Sequence, residues 1–255
     1  MLPPCLRRLA ATLVLLIAPL AAAGAEPAIL AKARAFLGSE AALNAVKSIH
    51  YTGTMLAPNA TDPAKPFPVA LELIFQAPSR QLTTSSTDAL VDATGLDNYD
   101  SWHRVQNPKN PSQYRLQLLP AEQIKRQRAM VWENLGFYRG LESLGGKVLD
   151  QGNVTCDGVA CRKIAFVHAE NIIFTHYFEV ATGRLVLTET EARSTFREQG
   201  EIVVNGVRFA KVLVSSNPGA DGKPVTVTVT WDKITVNESF PDSIFAVPAL
   251  TVPTN

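Results

Sequence analysis

The sequence predicts a mainly β protein built on a large antiparallel sheet, with helices confined to its amino-terminal start and to one mid-chain segment. Three observations predict it. Apolar residues recur at spacings of three and four in 29–46 and again in 120–136, whereas the runs between and after them alternate with a period of two. Asp157-Gly158, Ala181-Thr182-Gly183, Asn205-Gly206 and Asp221-Gly222 separate later β-rich runs, and such turns join neighbouring antiparallel strands. With 255 residues, 46% of them apolar and only 18% charged, the chain can bury a sizeable core, and all-β units of this length form single domains.

The chain opens with Arg7 and Arg8, an apolar run over 9–20 and Ala23-Gly24-Ala25, which together read as a secretory signal peptide cleaved after Ala25. Residues 1–25 are thus expected to be a leader and 26–255 one domain. Losing the leader turns 24 basic against 23 acidic residues into 22 against 23. So neutral a chain lacks the clustered cationic charge that nucleic acid demands, and no later run is long and apolar enough to cross a bilayer.

Ile29, Leu30, Ala33, Phe36 and Leu37 mark the first helix, which Gly38-Ser39 interrupts before Leu43 and Val46 resume it. Strands are expected at 49–56, 69–76, 80–86, 98–106 and 113–118. Pro58, Pro63, Pro66 and Pro68 read as a surface loop between the first two strands, and Asn107-Pro108 with Asn110-Pro111 as a second loop. Pro120, Glu122, Ile124, Val131, Leu135 and Gly136 fit the start, face and stop of the mid-chain helix, whose other face carries Lys125, Arg126 and Arg128. Tight turns make the remainder a meander.

Alternation shows which side is apolar. Leu71, Leu73 and Phe75 share a face, as do Phe174 and Phe178, and as do Val225, Val227, Val229 and Trp231 opposite Thr226, Thr228 and Thr230. One sheet face is therefore greasy and the other wet. Two helical segments must cover the greasy face, either as a packed core or with part of it lining a cavity for an apolar ligand. Val131, Trp132, Leu135 and Phe137 supply a lid edge on the helical side.

Cys156 and Cys161, separated by Asp157-Gly158-Val159-Ala160, are expected to form a disulfide pinning a hairpin, as suits an exported protein. A metal site would need more ligands than the nearby His168 and His176 provide. There is no Gly-x-Ser-x-Gly elbow, phosphate loop, dinucleotide fingerprint or His-Glu-x-x-His helix, so no catalytic residue, metal or cofactor is assigned. Glu189, Glu191, Glu198 and Glu201 alternate with Arg193 and Arg197, which reads as a solvated sheet face with cross-strand pairs.

Leu37-Gly38 through Ala42-Leu43, Val46 to Gly53, and Ile74-Phe75-Gln76-Ala77-Pro78-Ser79-Arg80 resemble the opening of the outer-membrane lipoprotein-sorting (LolA-like) family. Ala181-Thr182-Gly183-Arg184-Leu185, Gly200-Glu201 through Phe209, and Val236-Asn237 through Phe245 resemble its later half, so the similarity spans most of 27–248. The resemblance implies a curved antiparallel half-barrel whose apolar concave face is covered by helices acting as a lid. In the family's carriers a sheet arginine ties the lid down, and Arg80, Arg184 and Arg208 are the candidates here. It also implies a periplasmic carrier of lipoprotein acyl chains or another lipid, exchanging with membrane-bound donor and acceptor proteins. An envelope sensor of the same fold and, on the acidic strands, a hydrolase are the alternatives. The expected lipid-binding wall is Leu71, Leu73, Phe75, Phe174, Phe178, Val227, Val229 and Trp231, faced by Trp132, Leu135 and Phe137.

Intact-mass analysis of the exported product should show a chain that begins at Glu26 and carries no lipid. A mass that retains residues 1–25, or a lipid adduct, would contradict the leader reading.

Overall fold

The strand order explains where the helices lie. The computed structural model of the chain describes residues 26–59, 65–219 and 222–249, so the leader expected at 1–25 lies outside the described residues. Helices α1 (Ala28–Leu37) and α2 (Glu40–Ala45) lead into β1 (Ser48–Ala57), β2 (Phe67–Gln76), β3 (Arg80–Ser86), β4 (Val91–Asp97), β5 (Asp100–Asn107) and β6 (Asn110–Leu118), each strand pairing with the one before. Helix α3 (Ala121–Leu135) then carries the chain to the opposite edge. There β7 (Lys147–Cys156) starts the return through β8 (Val159–Ala169), β9 (Ile172–Glu179), β10 (Leu185–Thr190) and β11 (Thr195–Gln199). A separate hairpin of β12 (Ile202–Val204) and β13 (Val207–Phe209) intervenes before β14 (Val212–Pro218) and β15 (Pro224–Val236), and β15 pairs with β1.

The result is a 13-stranded antiparallel sheet whose two edges, β6 and β7, are joined by α3. Laid flat at strand spacings of about 4.8 Å, those edges would stand about 58 Å apart, while a 15-residue helix spans about 22 Å. The sheet does not close on itself; it forms the curved half-barrel that the family resemblance implies, with α3 across its concave side.

Two local expectations are corrected. Strand β4 escapes the alternation because its apolar residues are out of phase: Ala93 and Leu96 lie on opposite faces, and both are buried. The stretch read as a second proline loop is instead the tight turn between β5 and β6, where Asn107 pairs with Asn110. Pro111 is tolerated inside β6 because β6 is an edge strand, where a missing N–H breaks no ladder.

The convex face is less wet than alternation suggests. After β15 the chain folds back over it, placing a fully buried Phe245 whose carbonyl accepts a hydrogen bond from Trp102 Nε1 at 2.8 Å. Arg80 joins this strap by pairing with Asp242 at 2.6 Å and lying over the Phe245 ring. Phe240 sits edge-on to His50, whose ring nitrogens reach Glu72 and Glu238 at 2.8 and 2.9 Å.

The expected disulfide is absent: Cys156 and Cys161 are free, buried thiols. Cys156 stands opposite Val159, and Cys161 opposite Val154, so the two are diagonal neighbours. Diagonal positions lie about 7–8 Å apart, whereas a disulfide brings Cβ atoms to about 3.5–4.5 Å. Burial pushes both thiols above their ordinary pKa, which keeps them protonated.

Phe245→Ala should lower stability by about 3–5 kcal/mol, the usual cost of emptying a buried aromatic site. Urea denaturation reads it out, and a loss under about 1 kcal/mol would show that the strap is not part of the core.

Candidate functional site

Helix α3 is held to the concave face by three apolar contacts. Val131 packs with Phe75 and Leu96, Ala129 with Ile172 and Phe174, and Trp132 with Phe166 and Ile164. The first two contacts lie on opposite halves of the sheet. Past the Gly136 cap the backbone turns left-handed at two consecutive aromatic residues, Phe137 (φ 47°) and Tyr138 (φ 64°). Each such residue costs about 1–2 kcal/mol in L-amino acids. Here the turn directs both rings under the helix, where they are buried.

Between the two halves a cavity of about 250 Å³ remains. Tyr51, Leu73, Phe75, Phe209, Leu213 and Trp231 form one wall, Phe174, His176, Thr188 and Phe196 another, and Met130, Glu133, Phe137 and Tyr138 the roof. Of the residues read as a lipid-binding wall, Leu73, Phe75, Phe137, Phe174 and Trp231 meet here. The others lie elsewhere. Trp132 and Phe178 sit in the core under α1, Val229 packs with Ile49 and Ile234, Leu71 and Leu135 flank that packing, and Val227 lies farther along β15, outside the lining. Packing thus takes both ends of the concave face and leaves the middle open. A second hollow, of about 480 Å³, lies on the outer side of α1 against the β12–β13 hairpin.

A buried polar clasp stands at the cavity's edge. One oxygen of Glu133, on α3, is 2.7 Å from His168 Nε2 on β8, and the other is 2.9 Å from His176 Nε2 on β9. All three side chains are less than a tenth exposed. Burial opposes ionisation of Glu133, but the charge and hydrogen bonds of the two imidazoles outweigh it and hold the carboxyl below its usual range. An ionised carboxylate only accepts, so both Nε2 atoms carry the proton. His176 Nδ1 then lies 3.4 Å from Thr188 Oγ1. Because both Nε2 atoms are spent on Glu133, they present no open ligand set, and among the described residues no group of His, Cys, Asp and Glu is arranged to hold a metal ion.

The acidic strands divide. Glu189 accepts from the Tyr177 hydroxyl of neighbouring β9 at 2.9 Å, but Glu191 pairs with Arg126 of α3 and Arg197 with Asp157 of the β7–β8 turn, which are not the cross-strand pairs expected. Glu198 departs from that expectation: it lines the cavity beside Phe196 and has no hydrogen-bond or ion-pair partner among the described residues. It is the exposed member of the lining. The surrounding protein raises its carboxyl above the usual range, against the pull of His176.

None of the three candidate arginines reaches α3. Arg80 serves the convex strap, Arg184 pairs with Glu179, and Arg208 pairs with Glu201 while lying over the Phe36 ring and donating to its carbonyl on α1. What ties α3 to the sheet is the Glu133 clasp, with Gln127 on Ser101 at 2.6 Å and Arg126 on Glu191. Helix α1 is secured separately. Arg34 bridges Glu26 and Glu40 at 2.6 and 2.7 Å, and Glu40 also meets Arg139 beyond α3. Sequence reasoning singled out His168 and His176 but had no signal for Glu133, which lies 35 and 43 residues away.

No protein-family model and no curated protein matches the sequence. Solved structures match the fold. A DUF1329 family protein from Desulfovibrio piger is 8% identical and aligns over 86% of this chain and 96% of its own, with a TM-score of 0.55. A LolA superfamily protein from Nitrosomonas europaea is 12% identical with the same coverage and a TM-score of 0.52. The chain has the LolA-like fold.

Glu133→Gln keeps the shape of the clasp but places an amide N–H₂ against an imidazole N–H, and should cost about 2 kcal/mol at neutral pH. The folded-state pKa of Glu133 is lowered, so its contribution is complete above the ordinary carboxylate pKa and lost as pH falls through the depressed value. Denaturation of wild type and variant across acid pH should therefore converge only below the usual carboxylate range. Equal stabilities at neutral pH would remove the clasp from the account.

Proposed function

We propose that this chain is an exported, periplasmic carrier that shields an acyl chain, of a lipoprotein or another lipid, between the concave sheet and α3. The observation that carries this reading is the apolar cavity left open between two packed ends. A long acyl chain resists entering water by on the order of 10 kcal/mol, at about 0.8 kcal/mol per CH₂. The rings of Phe75, Phe137, Phe174 and Trp231 offer a surface that offsets most of that cost.

The closed cavity is small for the task. An engineered cavity of about 150 Å³ holds a single benzene, so about 250 Å³ admits one segment of a chain. Loading therefore requires α3 to lift, and its polar ties to the sheet side are the Glu133 clasp, Gln127, Arg126 and Arg128 on Tyr99. The apolar area that α3 uncovers is recovered against the incoming chain. Release follows from transfer to a partner of higher affinity, since a ligand shifts such an equilibrium only by its differential affinity for the two states. No helix among the described residues is long and apolar enough to cross a membrane.

Purified protein should carry copurifying lipid or bind a fluorescent fatty-acyl probe at one saturable site. Leu213→Gln, which adds a polar group to a half-buried wall position, should weaken probe binding by about tenfold or more, as loss of an apolar contact predicts. Absence of both lipid and saturable binding would leave the cavity a packing defect of an exported β domain.

A further inference from the structure

The carrier reading says nothing of what stands at the polar end of the chain, and the lining does. Glu198 stands at the exposed mouth of a cavity whose walls are mostly rings and aliphatic side chains, and among the described residues it has neither a hydrogen-bond nor an ion-pair partner. Among the other polar groups nearby, His176 pulls on it electrostatically but makes no hydrogen bond to it. Glu133 is itself acidic and is taken by His168 and His176. His176 offers no free N–H, because its Nε2 proton lies on Glu133 and its Nδ1 faces Thr188. Arg208, the one permanent cation of the lining, is paired with Glu201 and stacked on Phe36. The phenols of Tyr51 and Tyr138, which also line the cavity, feel the charge of Glu198.

We propose that Glu198 sets the head-group specificity of the cavity, which takes an apolar chain whose polar end bears hydrogen-bond donors, an amine, hydroxyl or amide N–H, and excludes one that ends in an anion. A donor end gives Glu198 a partner in place of water, and an amine adds an opposite charge at the exposed mouth of the cavity. A terminal carboxylate meets Glu198 and Glu133 while Arg208 is already paired with Glu201, so like charges face each other at an apolar rim. This inference rests on the carrier reading, and its test separates the two.

The experiment uses the exported chain and three dodecyl compounds, the amine, the alcohol and the carboxylate. Each displaces the neutral probe N-phenyl-1-naphthylamine at neutral pH, below its micelle concentration. The amine and alcohol should bind about tenfold or more tighter than the carboxylate, and Glu198→Gln should bring the carboxylate to within about threefold of the alcohol. Glu189→Gln, which makes the same charge change at a residue bound to Tyr177 outside the cavity, should leave the ranking of wild type intact. Carboxylate binding equal to or tighter than that of the amine in wild type overturns the proposal, and so does a ranking that Glu198→Gln leaves unchanged. The wild-type ranking decides even if the variant does not fold. Displacement by none of the three overturns the carrier reading on which the proposal stands.

Discussion

One connection governs the rest of the structure: the chain must pass from one edge of a 13-stranded sheet to the other in the segment between β6 and β7. Every other link within the sheet joins neighbouring strands. In the rolled sheet α3 makes that crossing over the concave face, packed on both halves of the sheet. The apolar stripe of α3 and the apolar face of the strands are two consequences of that geometry. Val131 and Ala129 reach opposite halves of the sheet from one helix, so packing at each end holds the curvature while the middle stays open.

Polar groups in this interior are placed with restraint. Apolar packing has no direction, and α3 could slide along a greasy wall at little cost. Glu133, shared between two histidines on adjacent strands, gives the helix one register. The left-handed pair Phe137 and Tyr138 then brings the chain off the helix with its rings turned inward. Glu198, a carboxyl with no partner among the described residues, stands at the accessible end of the same cavity.

The amino-terminal helices and the later hairpins depend on one another through backbone contacts. At Gly183 a side chain would collide with the backbone of Lys32 on α1 at 2.6 Å, and at Gly38 one would meet the carbonyl of Gly206 at 2.5 Å. Only glycine lets these chains approach so closely. The Leu37-Gly38, Thr182-Gly183 and Asn205-Gly206 stretches that carried the family resemblance thus gather around α1. Their recurrence along the chain is explained by docking, and each would look like an ordinary turn on its own.

The sequence by itself determined the fold class, the break at Gly38, the span of α3 between Pro120 and Gly136, and most strands, because helix caps, turns and periodicity are local and each is written in neighbouring residues. It could not determine the pairing of the cysteines, since two residues of register separate direct opposition from a diagonal, nor β4, whose apolar residues point to both faces. The cavity was legible only as an alternative. Phe75 and Phe178 are equally apolar in alternation, yet one lines the cavity and the other is buried under α1, because that choice is made by what the curved sheet and the helices bring opposite them. The clasp and Glu198 were settled at the same level. Nothing local to Glu133 marks it as the partner of His168 and His176, and nothing local to Glu198 separates it from its charged neighbours as the one that stands at the mouth of the cavity.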